Sequence, residues 1–201
     1  MVEQSLWTRK ITADPGHSDW YVERFRAMAR AGEDLAGEAR LVDALVPRHA
    51  RILDAGCGQG RTGAHLHSVG HDVVGVDGDA RLIAAAEQDH PGPRWLVGDL
   101  AELDLPSRGI NEPFDAVVSA GNVMAFLAPS TRRPVLQRLH AHLVPGGRAA
   151  IGFGAGRGYE FSAFLDDAAH AGFATDLLLS AWDLRPFTDE STFLVALLRR
   201  P

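Results

Sequence analysis

Residues 51–63 read Arg51-Ile52-Leu53-Asp54-Ala55-Gly56-Cys57-Gly58-Gln59-Gly60-Arg61-Thr62-Gly63. Ile52 and Leu53 make a short apolar strand that runs into a carboxylate, Asp54, and then into three alternating glycines, Gly56, Gly58 and Gly60. Glycines at that spacing let a backbone turn sharply and approach a ligand where a Cβ would collide. Arg61–Val69 is helix-permissive, so the loop empties into a helix N-terminus whose free N–H groups favour an anionic group. The stretch reads as the loop of a nucleotide-type cofactor, and its letters fit two patterns. Gly58-x-Gly60-x-x-Gly63 satisfies the dinucleotide fingerprint, with the acidic Asp77 about 20 residues further on. Asp54 to Gly60 also spells acidic-x-Gly-x-Gly-x-Gly. In the dinucleotide fold the strand normally runs straight into the first glycine, whereas here Asp54, Ala55, Gly56 and Cys57 stand before Gly58.

Strand–helix units follow. His71–Asp77 is a strand with an apolar centre and a carboxylate at its end; Gly78 turns, and Asp79 caps a helix carrying Leu82, Ile83 and Ala86 on one face. Arg94–Asp99 is a third strand, again ending in Asp, and Phe114–Ala120 a fourth, followed by Gly121-Asn122. Thr131–Val144 reads as a helix with Pro134 in its first turn, ended by Pro145-Gly146-Gly147 before a fifth strand, Arg148–Phe153. Tyr159–Ala171 is an amphipathic helix with Phe161, Phe164, Leu165 and Ala168 inward. Two strands close the chain, Ala174–Asp183 and Ser191–Arg199, joined by Leu184–Glu190. That connection is too short for a parallel crossover. The expected fold is therefore α/β: a doubly wound, mostly parallel seven-stranded sheet with an antiparallel C-terminal hairpin strand and helices on both faces.

The glycine loop after strand one, the carboxylates ending strands two and three and the terminal hairpin together resemble the class I (Rossmann-like) S-adenosylmethionine-dependent methyltransferases, over roughly residues 38–201. The resemblance implies S-adenosylmethionine as cofactor and methyl transfer to a small-molecule acceptor. The alternatives are a cofactor-binding module without turnover and, disfavoured by the hairpin and the Asp54 register, an NAD(P)-dependent oxidoreductase.

Length and composition add limits. The 201 residues suit one domain, with residues 1–50 as a helical lid and residues 51–201 as the cofactor-binding part. A net charge of −6 without a lysine/arginine block leaves no footprint for nucleic acid. No apolar run is long enough to span a bilayer, and the first residues show no basic stretch followed by an apolar one. Cys57, the single cysteine, cannot form an internal disulfide, and no Cys/His cluster has zinc spacing, so no metal and a reducing cytosol are expected.

By resemblance, Asp77, beside Gly78, accepts from both ribose hydroxyls; Asp99 accepts from the adenine amino group, with the Leu100 N–H at a ring nitrogen. Gly56, Cys57, Gly58 and Gly60 pass against the methionine part, carbonyls near Gly56, Ala120 and Gly121 face its ammonium, and Asp54 sits near that ammonium. Plainer roles stay open: Asp99 as a turn cap, Asp54 as a tie within the glycine loop, Cys57 as packing and Arg61 as a cofactor ligand or a solvated charge. The acceptor belongs at the ends of strands four and five. Methyl transfer needs in-line positioning and no catalytic triad, so only His17, Asn122 and Arg157 stand out there, Arg157 as a partner for an anionic substrate. Asn122 lacks the Asn/Asp-Pro-Pro-aromatic context of amino-directed family members. Two N-terminal helices, Asp19–Ala31 and Glu33–Val46, carry Trp20, Phe25 and Met28 and Leu35, Val42 and Leu45 inward, either over the site or simply against the sheet.

Overall fold

The computed structural model describes residues 2–201. Seven strands form one sheet: β1 (Arg51–Ala55), β2 (Asp72–Asp77), β3 (Arg94–Val97), β4 (Phe114–Ser119), β5 (Leu143–Gly154), β6 (Ala174–Leu179) and β7 (Phe193–Arg199). Their spatial order is β3-β2-β1-β4-β5-β7-β6. Strands β1 to β5 pair in parallel, and β7 lies antiparallel between β5 and β6. The terminal hairpin thus forms as its short connection requires. The order reverses between β1 and β4, and there a crevice opens at the carboxyl ends of the strands.

Strand residues alternate between two cores. Leu53, Val74 and Val117 face Val135, Leu136 and Leu139 of α7 (Arg132–Ala141) and Phe164 of α8 (Phe161–His170). Ile52, Val73 and Val118 face Ala39, Leu41 and Val42 of α3 (Gly37–Leu45) and Leu66 of α4 (Arg61–Ser68). Burial on both faces explains the near-continuous apolar runs of β1, β4 and β7. Toward the β3 edge, α5 (Ala80–Asp89) carries α2 (His17–Arg30) through Val22, Leu82 and Ala85.

Several boundaries differ from the sequence expectation. Helix α1 (Leu6–Ala13) was not expected; Ser5 caps it by accepting from the Thr8 N–H at 3.0 Å. Helix α2 starts at His17, and Trp20, 54% exposed, borders the crevice while Val22 takes the buried place against α5. Helix α7 stops at Ala141 instead of Val144, because Phe114 donates to the His142 carbonyl and Leu143 already pairs with Phe114 as the start of β5. Tyr159 precedes α8, buried against Phe153 with its hydroxyl donating to Asp167 at 2.8 Å.

Candidate active site

The crevice is a cavity of about 550 Å³, within the roughly 300–1,000 Å³ usual for small-ligand sites. Its floor is the glycine loop and the strand ends. Gly58 has φ +56 and an added Cβ would project to 3.7 Å from the Tyr21 ring, so only a glycine keeps that space open without backbone strain. The Gly58 N–H donates to Asp77 Oδ2 and the Asp79 N–H to Asp77 Oδ1, both at 2.9 Å. Asp54 is buried and accepts from the Gly63 N–H in the first turn of α4 at 2.9 Å through Oδ2. It therefore does tie the loop to the helix, and its Oδ1 has no protein partner among the described residues. Asp99 lines the cavity, accepts from the Ala101 N–H at 2.8 Å through Oδ1 and caps the turn Leu100–Glu102.

Among the described residues none of these carboxylates forms an ion pair with a cationic side chain. Burial pushes Asp54 up to about 7, against the lowering effect of the Gly63 N–H. Burial likewise raises Asp77 to about 6, partly offset by the N–H groups of Asp79 and Gly58. The N–H groups that reach them do not offset the cost of desolvating a charged carboxylate. Burial also drives the Cys57 thiol well above its ordinary range, which suits a packing residue and not a nucleophile.

The opposite wall comes from the N-terminal helices. Trp7 lies edge-on to Tyr21 and to Phe126 of the short helix α6 (Val123–Phe126), with ring centroids 5.4 and 5.5 Å away, and Tyr21 leans on Phe25 at 4.9 Å. Asp79 anchors this wall. Its Oδ2 accepts from Trp7 Nε1 at 2.9 Å and from Ser18 Oγ at 2.6 Å, while Oδ1 caps α5. Asp77 is thus joined through Asp79 to both α1 and α2. Asn122, at φ +67, accepts from the Gly154 N–H at 2.8 Å and so clamps the end of β4 to the end of β5.

The cavity gathers Asp54, Gly56, Cys57, Gly58, Asp77, Gly78, Asp99, Leu100, Ala120 and Gly121, together with His17, Asn122 and Arg157. Gly60 does not line it: a Cβ there would sit 2.9 Å from the Trp95 ring, and Gly63 and Gly75 face the same indole at 2.9 and 2.3 Å. The third glycine of the loop makes room for Trp95. Arg61 lines the cavity and is not a solvated charge, since it pairs with Glu38 and donates to the Leu35 carbonyl at 2.7 Å. Tyr21 also lines the cavity, as do Lys10, Arg24 and Gln59, which the sequence reading missed. Ser5 as a helix cap was the signal for α1, and with it for Lys10.

This sheet order, a glycine loop at the switch point and carboxylates ending β2 and just beyond β3 define a Rossmann-like methyltransferase domain. A family model described as a methyltransferase domain matches residues 52–147. A solved TehB-like SAM-dependent methyltransferase from Corynebacterium glutamicum is 51% identical with a TM-score of 0.87, covering 94% of this chain and 100% of its own. The magnesium-protoporphyrin O-methyltransferase of Rhodobacter capsulatus is 33% identical over 149 residues, 69% of this chain and 61% of its own length. The malonyl-[acyl-carrier protein] O-methyltransferase of Pectobacterium atrosepticum is 35% identical over 107 residues, 52% of this chain and 40% of its own. The chain belongs to the S-adenosylmethionine-dependent methyltransferase family. It spans about half the length of the curated relatives it matches. Among the described residues no helix is long and apolar enough to cross a membrane, and no cluster of His, Cys, Asp or Glu is arranged to hold a metal.

Proposed function

We propose that the protein transfers the methyl group of S-adenosylmethionine to a small-molecule acceptor by in-line displacement, with catalysis mainly by positioning. The observation that carries this reading is the pair of carboxylates Asp54 and Asp77, desolvated at the cavity floor without a cationic partner. An ammonium at Asp54 and a ribose diol at Asp77 supply the missing donors. Asp99 and the Leu100 N–H then hold the adenine, and Gly56, Cys57, Gly58, Gly78, Ala120 and Gly121 form the surface along the cofactor. The sulfonium supplies an electrophilic methyl carbon and a neutral leaving group. What the chain contributes is alignment and exclusion of water. Residues 1–50 serve as the helical lid over the cofactor-binding part, residues 51–201, with Trp7 and Tyr21 over the glycine loop and Asn122 fixing the two strand ends beside the acceptor. His17, held between the Trp7 and Trp20 rings at 5.2 Å from each, is the candidate base for an acceptor that must lose a proton. A small, non-nucleic-acid acceptor fits a net charge of −6, and a cytosolic setting fits the lone thiol of Cys57.

Calorimetry with S-adenosylmethionine, S-adenosylhomocysteine and NADH tests the cofactor. Binding of the first two and not the third is expected; tight NADH binding without them would overturn the assignment. Methyl-labelled cofactor with a metabolite extract then tests turnover, and binding without any labelled product would favour a silent binding module.

A further inference from the structure

Of the 20 lysine and arginine side chains, all but three meet a carboxylate within 4.0 Å or donate to a protein oxygen. The three without such a partner among the described residues are Lys10, Arg24 and Arg157, and all three line the one cavity described above. They come from α1, α2 and the loop between β5 and α8, so folding alone brings them together. With 26 acidic residues in the chain, acceptors are plentiful, and free cations gathered at one cavity are not what a mixed surface produces.

Resting on the methyl-transfer reading, we propose that the methyl acceptor is a small organic acid with two or more carboxylates, held by Lys10, Arg24 and Arg157. The cofactor has a single carboxylate and a net positive charge. Three cations facing the acceptor exceed what a single carboxylate neutralises, which sets the requirement for a second anionic group. Arg24 is oriented but not neutralised, since its guanidinium lies over the Trp20 and Phe25 rings at 5.7 and 5.8 Å. Arg157 reaches back to the ends of β4 and β5: its Nε and Asn122 Oδ1 both lie 3.5 Å from the position of a Cβ on Gly154. A cofactor bound in the same cavity would add its net positive charge to the attraction of such an acid. Cofactor and acceptor share about 550 Å³, which keeps the acceptor small.

The test titrates succinate, its neutral isostere succinamide, and inorganic phosphate into protein saturated with S-adenosylhomocysteine. Succinate is expected to bind, more weakly as salt is raised, and at least about tenfold more tightly than succinamide. Lys10→Gln, Arg24→Gln and Arg157→Gln should each lower succinate affinity by about threefold or more, and the triple variant should abolish it with S-adenosylhomocysteine affinity held within about twofold. Equal binding of succinamide, or succinate affinity untouched by the triple variant, would overturn the proposal. A parallel fall in S-adenosylhomocysteine affinity would assign the cations to the cofactor and overturn it too. Phosphate binding more tightly than succinate would replace the organic acid by an inorganic oxoanion. Failure of S-adenosylhomocysteine to bind would strike the cofactor reading alone; the same titrations on unloaded protein would still decide the anion site.

Discussion

On the floor of the cavity, Asp54 and Asp77 end β1 and β2 and Asp99 follows β3, each with an oxygen held by a backbone N–H. Across from them, Lys10, Arg24 and Arg157 stand on α1, α2 and the loop after β5 with no acceptor among the described residues. The floor is thus fixed by main-chain hydrogen bonds between elements that the sheet already aligns. The far wall is held by side chains on elements that only tertiary packing brings near, with Asp79 as the tie. A fixed floor suits a ligand that never changes, the cofactor. A wall of exposed, unpaired side chains suits the component that sets specificity, and it is easily altered without disturbing the sheet.

If the floor is fixed by backbone, the largest effect belongs to Gly58→Val. A branched side chain at φ +56 costs about 1–2 kcal/mol in strain and occupies the space facing Tyr21. Cofactor binding should be lost, with circular dichroism still reporting the folded α/β domain; retained binding would mean that the ligand does not touch the loop. Asp77→Ala comes next. Removing charge-assisted bonds worth about 1.5–3 kcal/mol each should weaken S-adenosylmethionine binding at least tenfold by calorimetry, and unchanged affinity would refute the ribose assignment.

The pH dependence tests the floor's electrostatics and has a definite sign. Asp54 at about 7 and Asp77 at about 6 are partly protonated in the free protein, whereas the ammonium and the diol favour their carboxylates. Binding should release protons, and affinity should rise with pH through this range, by at most about tenfold per unit for each group. Calorimetry in two buffers of different ionisation enthalpy measures the release; affinity that strengthens on acidification would contradict it. The smallest effect is expected from Trp7→Ala, which removes the bond to Asp79 and the ring contacts with Tyr21 and Phe126. Hydrogen exchange should quicken across His17–Phe25 while β1 and β4 stay protected, with stability lowered by about 1–2 kcal/mol. Uniformly faster exchange would make the N-terminal helices part of the same cooperative unit as the sheet.

The site was most legible where it is contiguous. Asp54, Gly56, Cys57 and Gly58, Asp77-Gly78 and Asp99-Leu100 belong to short segments at strand ends, and all of them line the cavity. Gly60 fits the same motif for another reason: its close neighbour is Trp95, a contact 35 residues away that no local pattern encodes. Trp20 and Arg61 show the same limit. Helical spacing turned Trp20 inward, yet Val22 meets Leu82 and Ala85 of α5 instead, and Arg61 found Glu38 on α3.

The sequence by itself determined the fold class, the strand-end carboxylates and the hairpin, because strand–helix periodicity, glycine spacing and loop length are constraints on neighbouring residues. The grouping of Lys10, Arg24 and Arg157 around one cavity, the latch from Trp7 and Ser18 to Asp79, and the raised proton affinity of Asp54 were decided only by the tertiary structure. Each depends on which distant groups share a space and how far water is excluded from it, quantities that exist only once the helices have packed on the sheet.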